Sequence, residues 1–205
     1  MTKPNKGRRI ACLIMAAGSA NRFGSAKQLA ELNNQPLIHS IVASARAVFG
    51  IDVFCVLGAS APQVAQVLPD DMQVIINPEW QQGLGQSIAV GIKRLNAMHK
   101  YDGVLVVLAD QYRLTADDLQ TFKKQFDSGR ILATDYGDSA GVPALFPRNS
   151  FIDLMTLTGE KGAKSFLNLA ENNVIRLSIP NAQFDIDTRE DWLNAIKQSN
   201  VSNPA

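Results

Sequence analysis

Apolar residues along the chain fall into runs of strand length separated by stretches of helical period. Arg9–Met15, Asp52–Leu57, Gln73–Ile76 and Gly103–Ala109 are rich in Val, Ile and Leu, lack alternation, and are bounded by Gly, Asn or Asp. They predict strands buried on both faces. Between them lie helical segments at Leu37–Val48, Pro62–Leu68 and Leu84–Ala97; in the last, Ile88, Ile92 and Leu95 share one face. Thr115 with Asp118, and Thr188 with Asp191, have the spacing of capped helix starts.

The second half is less regular. Ile131–Asp135, Val142–Phe146 and Val174–Ile179 read as strands, with helices near Phe151–Leu157 and Gly162–Leu169, and Gln198–Ala205 as a frayed tail. Unalternating strands separated by helices predict a three-layer α/β/α fold on a mostly parallel, Rossmann-like sheet. Ligands of such sheets bind at the carboxyl ends of the strands. No repeat or linker divides the 205 residues, so one domain is expected over 1–205, with its core at about residues 9–197.

Composition narrows the chemistry. Twenty Lys and Arg oppose nineteen Asp and Glu, a net charge of +1, which removes the cue for nonspecific nucleic-acid or membrane binding. Two cysteines, Cys12 and Cys55, each within an apolar run, exclude a disulfide scaffold and read as buried thiols. Two isolated histidines, His39 and His99, exclude histidine-based zinc chemistry. Basic residues before the short apolar run Ile10–Ala17 mimic a secretory signal, but the run reads better as a first strand entering a glycine turn. Cytoplasmic localisation is the expectation that goes with it.

The loop after that strand, Ala16–Lys27, carries the strongest signal. Small residues after a buried strand let a ligand approach the backbone, exposed N–H groups cradle phosphate oxygens, and Arg22 and Lys27 add positive charge. The spacing is neither G-x-G-x-x-G nor a P-loop. A surface turn with two solvated cations is the competing reading. Asp110 follows the most apolar strand and should lie at the ligand edge of the sheet. Asp187 precedes the helix capped by Thr188, and Mg²⁺ commonly takes one or two carboxylates plus substrate phosphates. Asp185 would share a strand face with Asp187, so geometry leaves both open; turn and cap roles are the plainer alternatives.

Taken in order, these segments resemble the nucleotidyltransferases that activate cofactors and sugars. Ala16, Ala17, Gly18, Arg22, Gly24 and Lys27 match the signature loop, with Ala20 in place of a usual Ser. Asn77-Pro78-Glu79-Trp80 with Gly83 and Ser87, Asp110-Gln111, Gly141-Val142-Pro143, Gly159-Glu160-Lys161-Gly162-Ala163-Lys164 and Asp185-Ile186-Asp187-Thr188 are similar to segments of the molybdenum cofactor cytidylyltransferase branch. Tyr112 replaces a proline and Val142 a histidine, both in the region expected to face the acceptor.

The resemblance implies transfer of a nucleotidyl group, CMP from CTP by preference, to the phosphate of molybdopterin, with pyrophosphate leaving. Ala17 stands where members acting on cytidine tend to have Ala rather than Gly, which is the basis of that preference. Arg22 and Lys27 would be catalytic cations. Ala16, Ala17, Gly18, Arg22, Lys27, Gly83, Ser87 and Asp110 would hold the nucleotide. Asp110 and Asp187, favoured over Asp185, would hold Mg²⁺. The implied partners are a nucleoside triphosphate and a phosphorylated acceptor, with a molybdoenzyme downstream and a monomer as the default assembly. A sugar or polyol phosphate as acceptor, or a noncatalytic accessory protein that delivers cofactor to a molybdoenzyme, are the rival readings. Trp80 is expected beneath its loop as core rather than stacked on a ring, and Phe146, Phe166 and Trp192 are expected to pack.

Overall fold

In the computed structural model, which describes residues 7–19, 23, 26–169 and 174–202, the apolar runs form one sheet. Its strands in chain order are β1 (Ile10–Ala16), β4 (Val53–Leu57), β5 (Gln73–Ile76), β6 (Gly103–Leu108), β7 (Ile131–Asp135), β8 (Ala140–Pro147) and β9 (Val174–Leu177). The short β2 (Glu31–Leu32) and β3 (Gln35–Pro36) form a separate antiparallel hairpin. The seven-stranded order is β5-β4-β1-β6-β8-β7-β9.

Strands β5, β4, β1 and β6 run parallel, as expected, but β5 is the edge strand and exposes Val74 and Ile76 instead of being buried on both faces. β8 is antiparallel to both of its neighbours, β6 and β7, and β9 is again parallel to β7. The fold is therefore the expected α/β class with a mostly parallel sheet and one reversed strand.

Every residue of β1 is buried, and its side chains divide between the two faces by the period of two. Cys12, Ile14 and Ala16 join the core under α1 (Ile38–Phe49), α2 (Ala61–Val67) and α4 (Ala116–Gln125). Ala11, Leu13 and Met15 join the core under α3 (Leu84–Ala97), α5 (Phe151–Leu154) and α6 (Lys164–Leu169). α3 sits close on β1 because position 91 is glycine: a Cβ there would lie 2.5 Å from a Leu13 methyl. A third, small cluster of Leu37, Ile186 and Ala195, with Phe23, Leu32, Tyr112 and Trp192 against it, holds α7 (Arg189–Ser202) beside the hairpin.

Several sequence expectations need correction. The helix expected to reach Leu157 is α-helical only over Phe151–Leu154, the one from Gly162 starts at Lys164, and β9 stops at Leu177 rather than Ile179. Gly162 has φ +55°, outside helical backbone, which accounts for the late start. α7 continues to Ser202 through the stretch expected to fray, and residues 203–205 lie outside the described set. Tyr112 packs in the α7 cluster, turned away from the expected acceptor region. Both cysteines are buried free thiols, as expected; burial holds both above the ordinary thiol range, Cys55 at about 12. Among the described residues no helix is long and apolar enough to cross a membrane.

Candidate active site

The site forms where β1 and β6 end. β1 delivers Ala17, Gly18 and Ser19, and β6 delivers Ala109 and Asp110, the two strands being hydrogen-bonded neighbours. The returning chain of residues 26–30 then places Lys27 over both. Lys27 opens a single 3-10 turn, Lys27–Leu29, followed by the β2–β3 hairpin. Beside it, buried Gln28 donates through Nε2 to the carbonyls of Ala16 and Gly18 at 3.3 and 3.4 Å, tying the turn to the strand end.

The third component arrives from near the far end of the described chain. The backbone N–H of Ile186 donates to the Asp110 carbonyl at 3.3 Å, which lays the 185–187 segment against the end of β6. Asp191 fixes its exit: the carboxylate accepts from the N–H of Asp187 and from the N–H and hydroxyl of Thr188, the cap foreseen for α7. These hydrogen bonds hold the Asp191 carboxyl below the usual carboxylate range, that of the Thr188 hydroxyl first.

Lys27 Nζ consequently donates to two carboxylates at once, Asp110 Oδ2 at 2.5 Å and Asp187 Oδ1 at 2.9 Å. The Lys27 and Asp110 side chains are each 14% exposed and that of Asp187 43%. Burial by itself would lower the Lys27 pKa; the Asp110 and Asp187 carboxylates outweigh it and hold the ammonium above its ordinary value. The second oxygen of Asp110, Oδ1, is buried and has no hydrogen-bond partner. A buried carboxylate oxygen without a donor is costly unless a ligand or ion completes it. Two carboxylates from separate segments, one with a free buried oxygen, suit a divalent cation that takes its remaining ligands from phosphates.

A cavity of about 680 Å³ opens over this cluster, lined by Ala17, Gly18, Lys27, Gly83, Ser87, Asp110, Glu160 and Asp187 among others. Gly83 and Ser87 come from the start of α3. Gly83 has φ +95°, and a Cβ there would sit 2.5 Å from the backbone of Gly159, so the glycine lets the 158–160 loop close on α3. Two backbone bonds, Gly85 N–H to Gly159 O and Gly159 N–H to Gln82 O, both 2.9 Å, secure that closure. Ser87 lines the cavity, but its hydroxyl is buried, accepting from Asn77 Nδ2 at 2.9 Å and donating to the Gly83 carbonyl at 3.4 Å. Ala16 is in the core on the α1 face, and only its carbonyl faces the Lys27 turn. Trp80 is half-buried: it packs on the α3-side core and lines the cavity as well. Arg22 and Gly24, named in the sequence reading, lie outside the described residues.

A second cavity of about 610 Å³ adjoins the first, with Leu84 and Leu108 lining both. Its walls include Gln111, Tyr136, Val142, Lys161, Lys164 and Asp185. Val142 thus lines a cavity beside the carboxylates, whereas Tyr112 does not. Asp185 is held above the ordinary carboxylate range by burial first, then by the Asp110 and Asp187 charges. Sequence reading missed the part played by Gln111. Its Nε2 reaches Tyr136 Oη, Val142 O and Ala182 O at 3.1–3.2 Å, and its Oε1 accepts from the Leu108 N–H. An amide directly after Asp110 at the end of an apolar strand was the one available signal, and it does not disclose the partners. Tyr136 Oη in turn donates to Val142 O at 2.6 Å, and burial pushes its phenol up to about 12.

A mostly parallel α/β sheet with a lysine between two aspartates beside the ends of β1 and β6, and a glycine-bordered cavity above them, is the arrangement of the doubly wound class, whose ligands bind at that edge. Residues 12–174 match the MobA-like NTP transferase domain, and the chain belongs to that family. Among curated relatives, the bifunctional protein GlmU of Azotobacter vinelandii is 27% identical over 92% of this chain, and nicotine blue oxidoreductase of Paenarthrobacter nicotinovorans 29% over 76%. The chain spans 40% of the length of that GlmU and 25% of the one from Rubrobacter xylanophilus. Among solved structures, Rv0371c of Mycobacterium tuberculosis H37Rv superimposes with a TM-score of 0.81 at 24% identity, covering 93% of this chain and 98% of that one. Molybdopterin-guanine dinucleotide biosynthesis protein A of Archaeoglobus fulgidus gives 0.68 at 14%, covering 93% and 99%. At these identities the likeness is one of fold.

Proposed function

We propose that the protein is a metal-dependent nucleotidyltransferase that transfers CMP from CTP to the phosphate of molybdopterin, releasing pyrophosphate. The observation that carries the reading is the Lys27 bridge between Asp110 and Asp187, with the orphaned Asp110 oxygen beside it. Membership of the MobA-like NTP transferase family supports the reaction class. The adjoining cavities, sharing Leu84 and Leu108, support a donor nucleotide in one and an acceptor in the other.

The acceptor phosphate is the nucleophile and is already anionic, so no side chain need remove a proton. The bond from its oxygen to the α-phosphorus forms as the bond to the bridging oxygen of pyrophosphate breaks. What the chain supplies is alignment and charge. Ala17, Gly18 and Gly83 present backbone to the triphosphate and nucleoside, and Lys27 neutralises the leaving pyrophosphate. Asp110 and Asp187 would hold Mg²⁺, which when bound supplies positive charge shared among the phosphate oxygens. Glu160 lies on the same wall but is exposed, and among the described residues no three acidic, histidine or cysteine side chains are grouped for a metal, so phosphates would have to supply the remaining ligands.

The test is pyrophosphate release with each of the four ribonucleoside triphosphates and Mg²⁺, with and without purified molybdenum cofactor. Release with CTP that requires the cofactor is the expected result. Release with CTP that requires a sugar or polyol phosphate instead would move the acceptor assignment, in keeping with Val142 on the acceptor wall. No release with any acceptor, alongside binding of the cofactor, would leave the accessory-protein reading in its place.

A further inference from the structure

One ammonium occupies both carboxylates that the proposed reaction needs for a cation. Lys27 Nζ takes Asp110 Oδ2 at 2.5 Å and Asp187 Oδ1 at 2.9 Å, partners 83 and 160 residues away in sequence. A lysine ammonium is a compact point charge on a flexible four-carbon stem, so it can leave such a position without moving the backbone. A divalent cation drawn to the same oxygens would lie within a few Å of Nζ, where two positive charges repel strongly in a part-buried site. The Lys27 side chain is only 14% exposed, so water screens that repulsion little.

Resting on the reading proposed above, we infer that Lys27 is a built-in competitor for the metal site, displaced when a polyphosphate draws its ammonium onto phosphate oxygens. In the free protein Lys27 neutralises Asp110 and Asp187 and keeps the affinity for a divalent cation low. A bound polyphosphate offers the ammonium a new partner and returns both carboxylates to the cation. Nucleotide and metal then bind with positive coupling, and linkage requires each to strengthen the other by the same factor. A metal loaded ahead of substrate is disfavoured.

The test is a titration of the full chain with Mn²⁺ in the absence of nucleotide, read from the electron paramagnetic resonance signal of free Mn²⁺. Lys27→Met keeps the stem and removes the charge; it is expected to bind Mn²⁺ about tenfold tighter than the parent protein or more. Lys27→Arg keeps the charge and should stay within about twofold of the parent. Equal or weaker Mn²⁺ binding by folded Lys27→Met overturns the inference. Should Lys27→Met fail to fold, the unsubstituted protein carries the test through the acetylation rate of Lys27, followed by peptide mass spectrometry. At Mn²⁺ concentrations that the titration shows to fill the site, a raised rate supports displacement, and an unchanged or lowered rate overturns it. Asp110→Asn separates the two levels. If it leaves Mn²⁺ binding intact, the metal assignment of the proposed function fails and the competition falls with it. If it abolishes binding while Lys27→Met does not tighten it, only the competition fails.

Discussion

At the scale of single residues, the site depends on two neighbours with different tasks. Asp110 puts one oxygen on Lys27 and leaves the other buried without a donor, whereas Gln111 turns back into the protein and ties three segments together. If the proposed reaction holds, Asp110→Asn should lower kcat by about 10²–10³-fold with little loss of stability, because it removes a charge that would hold the cation. Steady-state pyrophosphate release and a urea melt on the same preparation check both halves. Gln111→Leu should do the opposite in the melt. It strands the Leu108 N–H and removes one of two donors to the Val142 and Ala182 carbonyls, Tyr136 Oη remaining, for a loss of about 1–3 kcal/mol. The sequence marked Asp110 through its place after an apolar run. It could not mark what Gln111 holds, since those partners lie 25, 31 and 71 residues away.

At the scale of elements, the two capping boxes serve as matched controls. Thr115 caps α4 with Asp118, and Thr188 caps α7 with Asp191; both were legible as a hydroxyl three residues ahead of a carboxylate. Thr115→Ala and Asp191→Ala should each cost about 1 kcal/mol in a denaturant melt. Only the second should also reduce turnover, because the Asp191 carboxylate holds the N–H of Asp187 as well. Equal turnover in the two variants would mean that Asp187 is positioned by something else. The parallel strands were legible for a related reason: Gln73–Ile76 and Ile131–Asp135 are bounded by turn residues, and their limits coincide with the observed strands. The reversal of β8 was not legible. A strand buried on both faces has the same apolar pattern in either direction, and direction is set by its partners β6 and β7. The hairpin of β2 and β3 was missed because two-residue strands carry no period.

At the scale of the whole molecule, charge is organised at both ends of the sheet. Opposite the site, Asp52 accepts two bonds from Arg9 and one from Tyr101 Oη. Burial would raise the Asp52 carboxyl, but these hydrogen bonds and the Arg9 charge outweigh it and hold it below the usual range. A carboxyl depressed in the folded state stabilises the fold at pH above its unfolded value, and that contribution fades as pH falls through the folded one. The stability gap between the parent protein and Asp52→Asn, from urea melts, should therefore be full near neutrality and shrink as pH falls through and below the ordinary carboxylate range. A gap independent of pH would remove Asp52 from the acid response. The antiparallel β8 also has a global effect: it brings the start of one strand to the edge where the parallel strands end. The wall formed by Gly141 and Val142 therefore stands beside the Lys27 cluster without a crossover helix between β6 and β8 in the sheet.

The bond from Ile186 N–H to the Asp110 carbonyl has a consequence in time. A ribosome emits β1 and Lys27 early and Asp110 about midway, but the segment that bonds Asp110 and brings Asp187 to Lys27 comes only near the finish. Until that stretch docks, the nascent chain exposes Lys27 and Asp110 without their third partner. The proposed centre is thus withheld until most of the sheet already exists, and a chain ended after β9 but before residue 187 would carry Lys27 and Asp110 without Asp187.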